Sequence, residues 1–308
     1  MKVLIVARYK EHVFAPFVVE QVAALEKSGV ECCFFPVRNK GLMGYLKQLP
    51  ELKRAIKEFT PDVVHAHYGF CGLLANLQRR VPVVTTYHGS DINDKKVLRL
   101  SKIAILRSSY NIFVSQKNID IARPKKNYAL IPCGINLEDY PFIDKSEART
   151  QMGLNPDKKY VLFAGAFDNA IKNAALAKAA VALLNDKNTE LLELKGYTRK
   201  QVAILMQAVD AFLMTSFTEG SPQVIKEALA CGCPIVSVDV GDVKERVEGV
   251  DGCFIANRDA KDLASCLKKA LAFVKRTNGK EAIVRDGLTN DAVALHLNDI
   301  YSQISKKQ

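Results

Sequence analysis

The chain has 308 residues, a mass of 34.1 kDa, 48% hydrophobic and 25% charged residues, and a formal net charge of +11. That length suits two domains of roughly 150 residues each better than one core, and the composition excludes a disordered chain. No apolar run approaches the roughly 20 residues of a transmembrane helix.

The N-terminus, MKVLIVARYK, opens on a β-branched strand and passes at once to charges, without the apolar stretch and cleavage site of a signal peptide, so a cytoplasmic protein is expected. Strand-like runs follow at 3–7, 32–36, 63–67, 83–87, 112–115 and 129–132. Between the first two, 17–27 carries Val18, Val22 and Leu25 on one helical stripe that ends at Gly29. A polar stretch at 144–159 reads as a linker, and the pattern restarts at YVLFAG (160–165), with further strands at 191–194, 211–215, 235–238 and 253–255. Alternation of strands and helices throughout predicts an α/β protein of two doubly wound parallel sheets. Val293, Leu297, Ile300, Tyr301 and Ile304 lie on one face of a closing amphipathic helix. No short-period repeat is present, which excludes solenoids and propellers.

Eight cysteines form no C-x-x-C pair and five histidines no H-x-x-x-H spacing, so buried reduced thiols are expected, without a tightly bound metal. The charge is uneven: residues 1–149 hold 23 Lys+Arg against 14 Asp+Glu, so +9 of the +11 lies there. An anionic partner for the first half is one reading, and a solvated basic face is the other. No zinc finger or other nucleic-acid reading module is present, so nucleic acid is not expected as a partner.

The most informative segment is TSFTEGSPQVIKEALACGCPIVSVD (215–239). A strand ends near Thr215, Ser221 is the expected N-cap of a helix with Pro222 at its first position, and Gly232 stops it. Amides at such a start suit a pyrophosphate. Glu219 and Glu227, in an E-x7-E spacing, are acceptors suited to sugar hydroxyls, one set on a pyranose and one on a ribose. A capped helix with exposed glutamates is also ordinary in any α/β protein, so the residues alone leave both readings open.

The stretch SFTEGSPQVIKEALACGCPIVSVDVGDVKE closely resembles the donor signature of the retaining glycosyltransferases of family 4, which have the GT-B fold; PDVVHAHYG (61–69), VPVVTTYHGSD (81–91), IPCGIN (131–136) and VLFAG followed by Lys172 match in family order. The resemblance spans nearly the whole chain. It implies two facing Rossmann-like domains with a cleft between them. Residues 1–143 would form an acceptor-side domain, with a helix at about 288–306 packing back on it, and 144–287 the nucleotide-sugar domain. It also implies that Glu219 binds donor-sugar hydroxyls, Glu227 the ribose, and the segment Gly220, Ser221, Pro222 and Gln223 the sugar and phosphates through the amides around it. Gly165 would lie at the donor site, Lys172 would neutralise the leaving diphosphate, and His88 would be the active-site histidine. Asp91 reads equally as a turn or helix cap.

Three departures from the family pattern stand out. Ala166 occupies the place of a common arginine six residues before the lysine, which leaves diphosphate stabilisation to Lys172 and the helix start, with help from Asn169. ARYKEHVFAPF (7–17) replaces a glycine-rich loop, and the second domain lacks a strand–helix unit. The expected activity is hexosyl transfer from a nucleotide diphosphate to a sugar or lipid-linked acceptor in polysaccharide or glycolipid synthesis. No cofactor or obligatory metal is expected. The basic first half would contact the inner, anionic face of a membrane. The alternatives are a nucleotide-sugar 2-epimerase of the same architecture and a catalytically silent sugar-nucleotide or polysaccharide binding protein. A dinucleotide oxidoreductase is disfavoured because no G-x-G-x-x-G follows any strand.

Overall fold

The computed structural model describes residues 1–39 and 41–306. The chain divides into a first unit, Met1–Gly134 together with the chain from Leu288 onward, and a second unit, Ile135–Gly287. The segment 135–143 therefore belongs with the second unit, where the sequence reading puts it in the first. The Lys280 ammonium donates to Tyr140 O (2.8 Å) and Ile143 N to Gln207 Oε1 (2.9 Å), and these bonds tie it there.

The first unit holds strands β1 (Lys2–Lys10), β2 (Val13–Phe14), β3 (Glu31–Val37), β4 (Val63–His67), β5 (Val83–Tyr87), β6 (Tyr110–Phe113) and β7 (Tyr128–Leu130). The parallel order is β3-β1-β4-β5-β6-β7, with β2 antiparallel to the end of β1. Period two divides the β1 side chains between two cores. Val3, Ile5 and Ala7 face Val18, Val22 and Leu25 of the Pro16–Lys27 helix, while Leu4 and Val6 face Leu52, Ile56, Cys71 and Leu74. Both faces are covered, which is why β1 reads as an unbroken apolar run over Val3–Ala7.

The closing helix, Asn290–Ser305, seats Val293, Leu297, Ile300, Tyr301 and Ile304 in the first of those cores. Its Tyr301 hydroxyl lies 2.5 Å from His65 Nδ1 on β4. Gly134 has no room for a side chain, since a Cβ there would stand 2.8 Å from Asn290 Cα. The loop expected at 7–17 is a hairpin: Lys10 pairs with Val13, and Glu11 (φ 52°) and His12 (φ 65°) form a two-residue turn. Both turn residues are left-handed, as the twist of such a hairpin demands, although neither is glycine.

The second unit holds β8 (Lys159–Phe163), β9 (Thr189–Glu193), β10 (Ala211–Met214), β11 (Ile235–Val238) and β12 (Phe254–Ala256), all parallel in the order β12-β11-β10-β8-β9. The order reverses direction between β8 and β10. In open α/β sheets the ligand crevice lies beyond the carboxyl ends of the strands at such a switch.

Candidate active site

At the β8–β10 switch the chain leaves β8 through Gly165. A Cβ on Gly165 would sit 3.0 Å from Lys172 Cγ, so glycine lets the lysine stem lie across the strand end. Lys172 closes a single 3-10 turn, Ala170–Lys172, whose start is capped by Asn169 Oδ1 accepting from Ile171 N (3.1 Å). Asn169, a candidate for diphosphate contact, is thus engaged as a cap. The Thr215 hydroxyl, just beyond β10, reaches the carbonyls of Lys172 (2.9 Å) and Asn173 (3.0 Å), and Phe217 N donates to Ile171 O (2.9 Å). The Arg258 guanidinium donates to Thr215 O (3.1 Å) and Ser216 O (2.7 Å) and lies over the Phe217 ring. These contacts pin the lysine turn to the chain after β10. There Lys172 Nζ meets Glu219 Oε1 at 2.7 Å, with the two side chains only 21% and 16% exposed.

The helix that follows is Gln223–Ala230, with Pro222 as its N-cap residue and no side-chain cap. Ser221 is therefore not the N-cap, and Pro222 is not the first helical residue. The Ser221 hydroxyl instead donates to Asp242 Oδ2 (2.8 Å), a buried carboxylate. Burial pushes the Asp242 carboxyl above its usual range, against the pull of Lys226, the Ser221 bond and Arg246. Because Ile225 N returns to Pro222 O and Pro222 has no N–H, the amides at the helix start are those of Gln223 and Val224. Gly241 (φ 58°) packs on Gly220, and a Cβ there would stand 2.5 Å from Gly220 O. The helix ends at Gly232 (φ 63°), as its sequence requires.

Lys226 is fully buried, and its ammonium donates to Gln223 Oε1 at 2.7 Å. It fixes the side chain of the first helical residue from inside the fold. Glu227 is largely buried, and burial pushes its carboxyl upward, while Arg199, a Tyr140 hydrogen bond and Lys226 favour its charged form. Tyr140, in the segment reassigned to this unit, is itself buried and accepts from Arg199 Nη2 (3.4 Å). Sequence reasoning missed Lys226, Asp242, Tyr140, Arg199 and Arg258. The lysine alone left a signal, as a cation on the otherwise apolar face of Ile225, Ala228 and Leu229.

In the first unit His88 follows β5, and the turn after it, with Gly89 at φ 105°, is built around Asp91. Asp91 Oδ1 accepts from His88 N and Gly89 N, and Oδ2 from Gly69 N, each at 3.0 Å. Burial pushes the Asp91 carboxyl up to about 6 even so. His67 Nδ1 on β4 lies 3.1 Å from His88 Nε2, and Cys133 Sγ 3.6 Å from His88 Nδ1. The rings of His65, His67 and His88 stack at 4.6 and 5.3 Å, and burial pushes His67 down to about 3. Both ring nitrogens of His88 therefore face protein groups. The alternation HAH in a fully buried strand was the available sign of this array. Arg8 and Lys10 line a cavity of about 610 Å³ with Phe14, Tyr45, Tyr68 and Phe70 in the same unit.

Among the described residues, no group of three or more His, Cys, Asp and Glu side chains could hold a metal ion. No helix among them is long and apolar enough to cross a membrane.

Residues 4–139 match the family model described as Glycosyltransferase Family 4, and residues 176–272 the one described as Glycosyl transferases group 1. The chain is 26% identical over 241 residues to the teichuronic acid biosynthesis glycosyltransferase TuaC of Bacillus subtilis, covering 69% of this chain and 62% of that protein. It spans less than two thirds of the first curated relatives it matches: 62%, 54% and 63%. Sucrose-phosphate synthase from Thermosynechococcus elongatus superposes with a TM-score of 0.84 at 17% identity over the full length of both chains. Anabaena Alr3699/HepE, solved with UDP and glucose, superposes at 0.74 and 18% identity, covering 98% of this chain and 100% of that one.

Proposed function

Because the chain belongs to the group 1, family 4 glycosyltransferases and has the GT-B fold, we propose that it moves a sugar from a nucleotide diphosphate to an acceptor, with its second unit holding the donor. The observation that carries this reading is the Lys172–Glu219 pair at the carboxyl ends of β8 and β10. It sets one cation and one acceptor-only side chain side by side. The cation suits the leaving diphosphate and the carboxylate suits the hydroxyls of the sugar it leaves. The start of the Gln223–Ala230 helix adds backbone donors and about half a unit of positive charge.

In this mechanism the bond between the anomeric carbon and the β-phosphate oxygen breaks, and the charge that develops on the diphosphate is stabilised by Lys172 and the helix-start amides. The acceptor hydroxyl attacks from the side of the leaving group and gives its proton to the departing diphosphate oxygen, so configuration is retained. Glu227 takes the ribose hydroxyls, held in place by Tyr140 and Arg199 and drawn toward its charged form by Lys226. His88 completes the set carried over from the family resemblance. Catalysis here is positioning and electrostatics, with no step that requires a metal. A uridine nucleotide is the first donor to test, given the neighbour solved with UDP, and a polysaccharide or lipid-linked precursor is the acceptor class.

The test is calorimetric titration of UDP, GDP, ADP and their sugar conjugates, followed by product analysis with and without acceptor sugars. The expected result is one tight nucleotide and acceptor-dependent consumption of its sugar conjugate. Binding of none of the nucleotides would overturn the reading, and epimerised donor formed without acceptor would replace transfer by isomerisation.

A further inference from the structure

The first unit has another cavity, at the opposite ends of its strands from Arg8 and His88. It opens at the amino ends of β5 and β6, beside Val83 and Tyr110, and has a volume of about 630 Å³. Arg79, Arg80 and Arg107 line it, together with Asn127, Gln303 and Ile304, and none of its lining residues is an aspartate or glutamate. The side chains of Arg79 and Arg107 have no hydrogen-bond or ion-pair partner among the described residues.

The loop that presents two of these arginines is built. Gln78 is buried, donates from Nε2 to Val81 O (2.7 Å), and accepts at Oε1 from Arg80 N (2.8 Å) and Val81 N (3.0 Å). One side chain thus folds the loop back on itself, with Arg79 in the left-handed region at φ 56°. On the other wall, Ser109 N donates to Val83 O (2.8 Å) and sets the start of β6, just after Arg107.

The guanidinium groups of Arg79 and Arg107, on one cavity whose lining holds no carboxylate, repel one another, and an anion in the cavity relieves that repulsion. Guanidinium forks match phosphate oxygens in particular. The volume lies within the range of small-molecule sites, roughly 300–1,000 Å³. Tyr110, Ile304, Val81 and Pro82 add an apolar wall against which the rest of a phosphorylated molecule can lie.

We propose that this cavity binds a phosphate group carried by a small metabolite or by a lipid headgroup, at a site separate from the one described above. It does not rest on the sugar-transfer reading, and its residues belong to none of the groups assigned there.

The test compares the wild-type chain with an Arg79→Gln/Arg107→Gln double variant, both changes lying on exposed side chains. The readout is amide hydrogen exchange of residues 78–83 and 107–111, taken with inorganic diphosphate and, separately, with phosphatidylglycerol or phosphatidylcholine vesicles. Because the readout is local, diphosphate bound in the second unit does not register. Protection by free diphosphate that weakens about 10-fold or more in apparent affinity in the variant, as expected for losing two charge-assisted contacts, supports a soluble phosphate ligand. Protection by phosphatidylglycerol vesicles alone, lost in the variant, supports a headgroup. No protection by either probe, or protection equal in the two proteins, overturns the proposal.

Discussion

The first unit carries 23 Lys+Arg against 12 Asp+Glu and all five histidines, whereas the second carries 21 against 21 and no histidine. Both repeat one strand order, reversing between β1 and β4 in the first and between β8 and β10 in the second. Yet the pair assigned to the nucleotide donor sits in the neutral unit. Net charge governs attraction at a distance and falls off within about 8 Å at physiological salt. A single cation held at 21% exposure beside a shaped strand end acts where screening is weak. Surplus charge and the charge proposed to act on the diphosphate are thus separate properties, and the two units separate them.

The largest expected effect breaks or sharpens that contrast directly. Lys172→Ala should lower turnover by about 10²-fold or more, the order for removing one preorganised electrostatic contact, and should weaken ground-state donor binding less. Arg8→Ala and Lys10→Ala, in the basic unit, should change turnover only a few-fold. Steady-state kinetics on the three variants checks this. Near-wild-type turnover for Lys172→Ala with a severe Arg8 or Lys10 phenotype would move the diphosphate cation into the first unit.

Glu227→Ala comes next. Removing a charge-assisted acceptor should weaken nucleotide binding by about 1.5–3 kcal/mol, and Tyr140→Phe should weaken it less, because it removes only a supporting bond. Titration calorimetry with the nucleotide that the UDP, GDP and ADP panel selects reads both. Equal affinity in wild type and Glu227→Ala would take the ribose away from this residue.

The smallest effect separates the units by pH. His65 and His67 are buried neutral, His65 well below its ordinary range and His67 at about 3, so each contributes stability that is complete above pH 6.5 and is lost as pH falls toward the folded value. The cost approaches about 1.4 kcal/mol per pH unit for each histidine. Asp91, raised to about 6, works the other way and regains part of that loss as pH falls below about 6. A net loss of about 1–2 kcal/mol is expected in the first unit by pH 5.5. In the second unit Glu227 and Asp242, both raised, gain stability on acidification. Amide exchange between pH 7 and 5.5 should therefore show the first unit opening before the second, and equal opening of both would contradict it.

Much of this architecture was legible. The strands at 63–67, 83–87 and 235–238 match residue for residue, because each opens on a buried pair of β-branched residues, Val63-Val64, Val83-Val84 and Ile235-Val236, and is ended by turn residues. The hairpin at Glu11–His12 was not legible, since its left-handed turn uses neither glycine nor asparagine. Ser221 misled for a different reason: local rules make it a cap, but a partner 21 residues away took its hydroxyl. Tyr140 shares that long-range character, since it bonds Glu227 from a segment far earlier in the chain, whereas Lys226 left only a cation on an apolar helix face as its sign. Gly165 was placed at the site by resemblance, and the close approach of the Lys172 stem gives its physical reason.

The closing helix also bears on the order in which the protein is made. The core of the first unit includes six residues of Asn290–Ser305, so that core is incomplete until residues after the whole of Ile135–Gly287 have been added. During synthesis the second unit is contiguous and can finish folding first, although it comes later in the chain. Until the closing helix arrives, Val3, Ile5 and Leu25 lack one covering layer, and the hydroxyl partner of His65 is absent. The nascent first unit is consequently the stage at which this core stays uncovered longest, and exposed apolar surface of that kind favours aggregation.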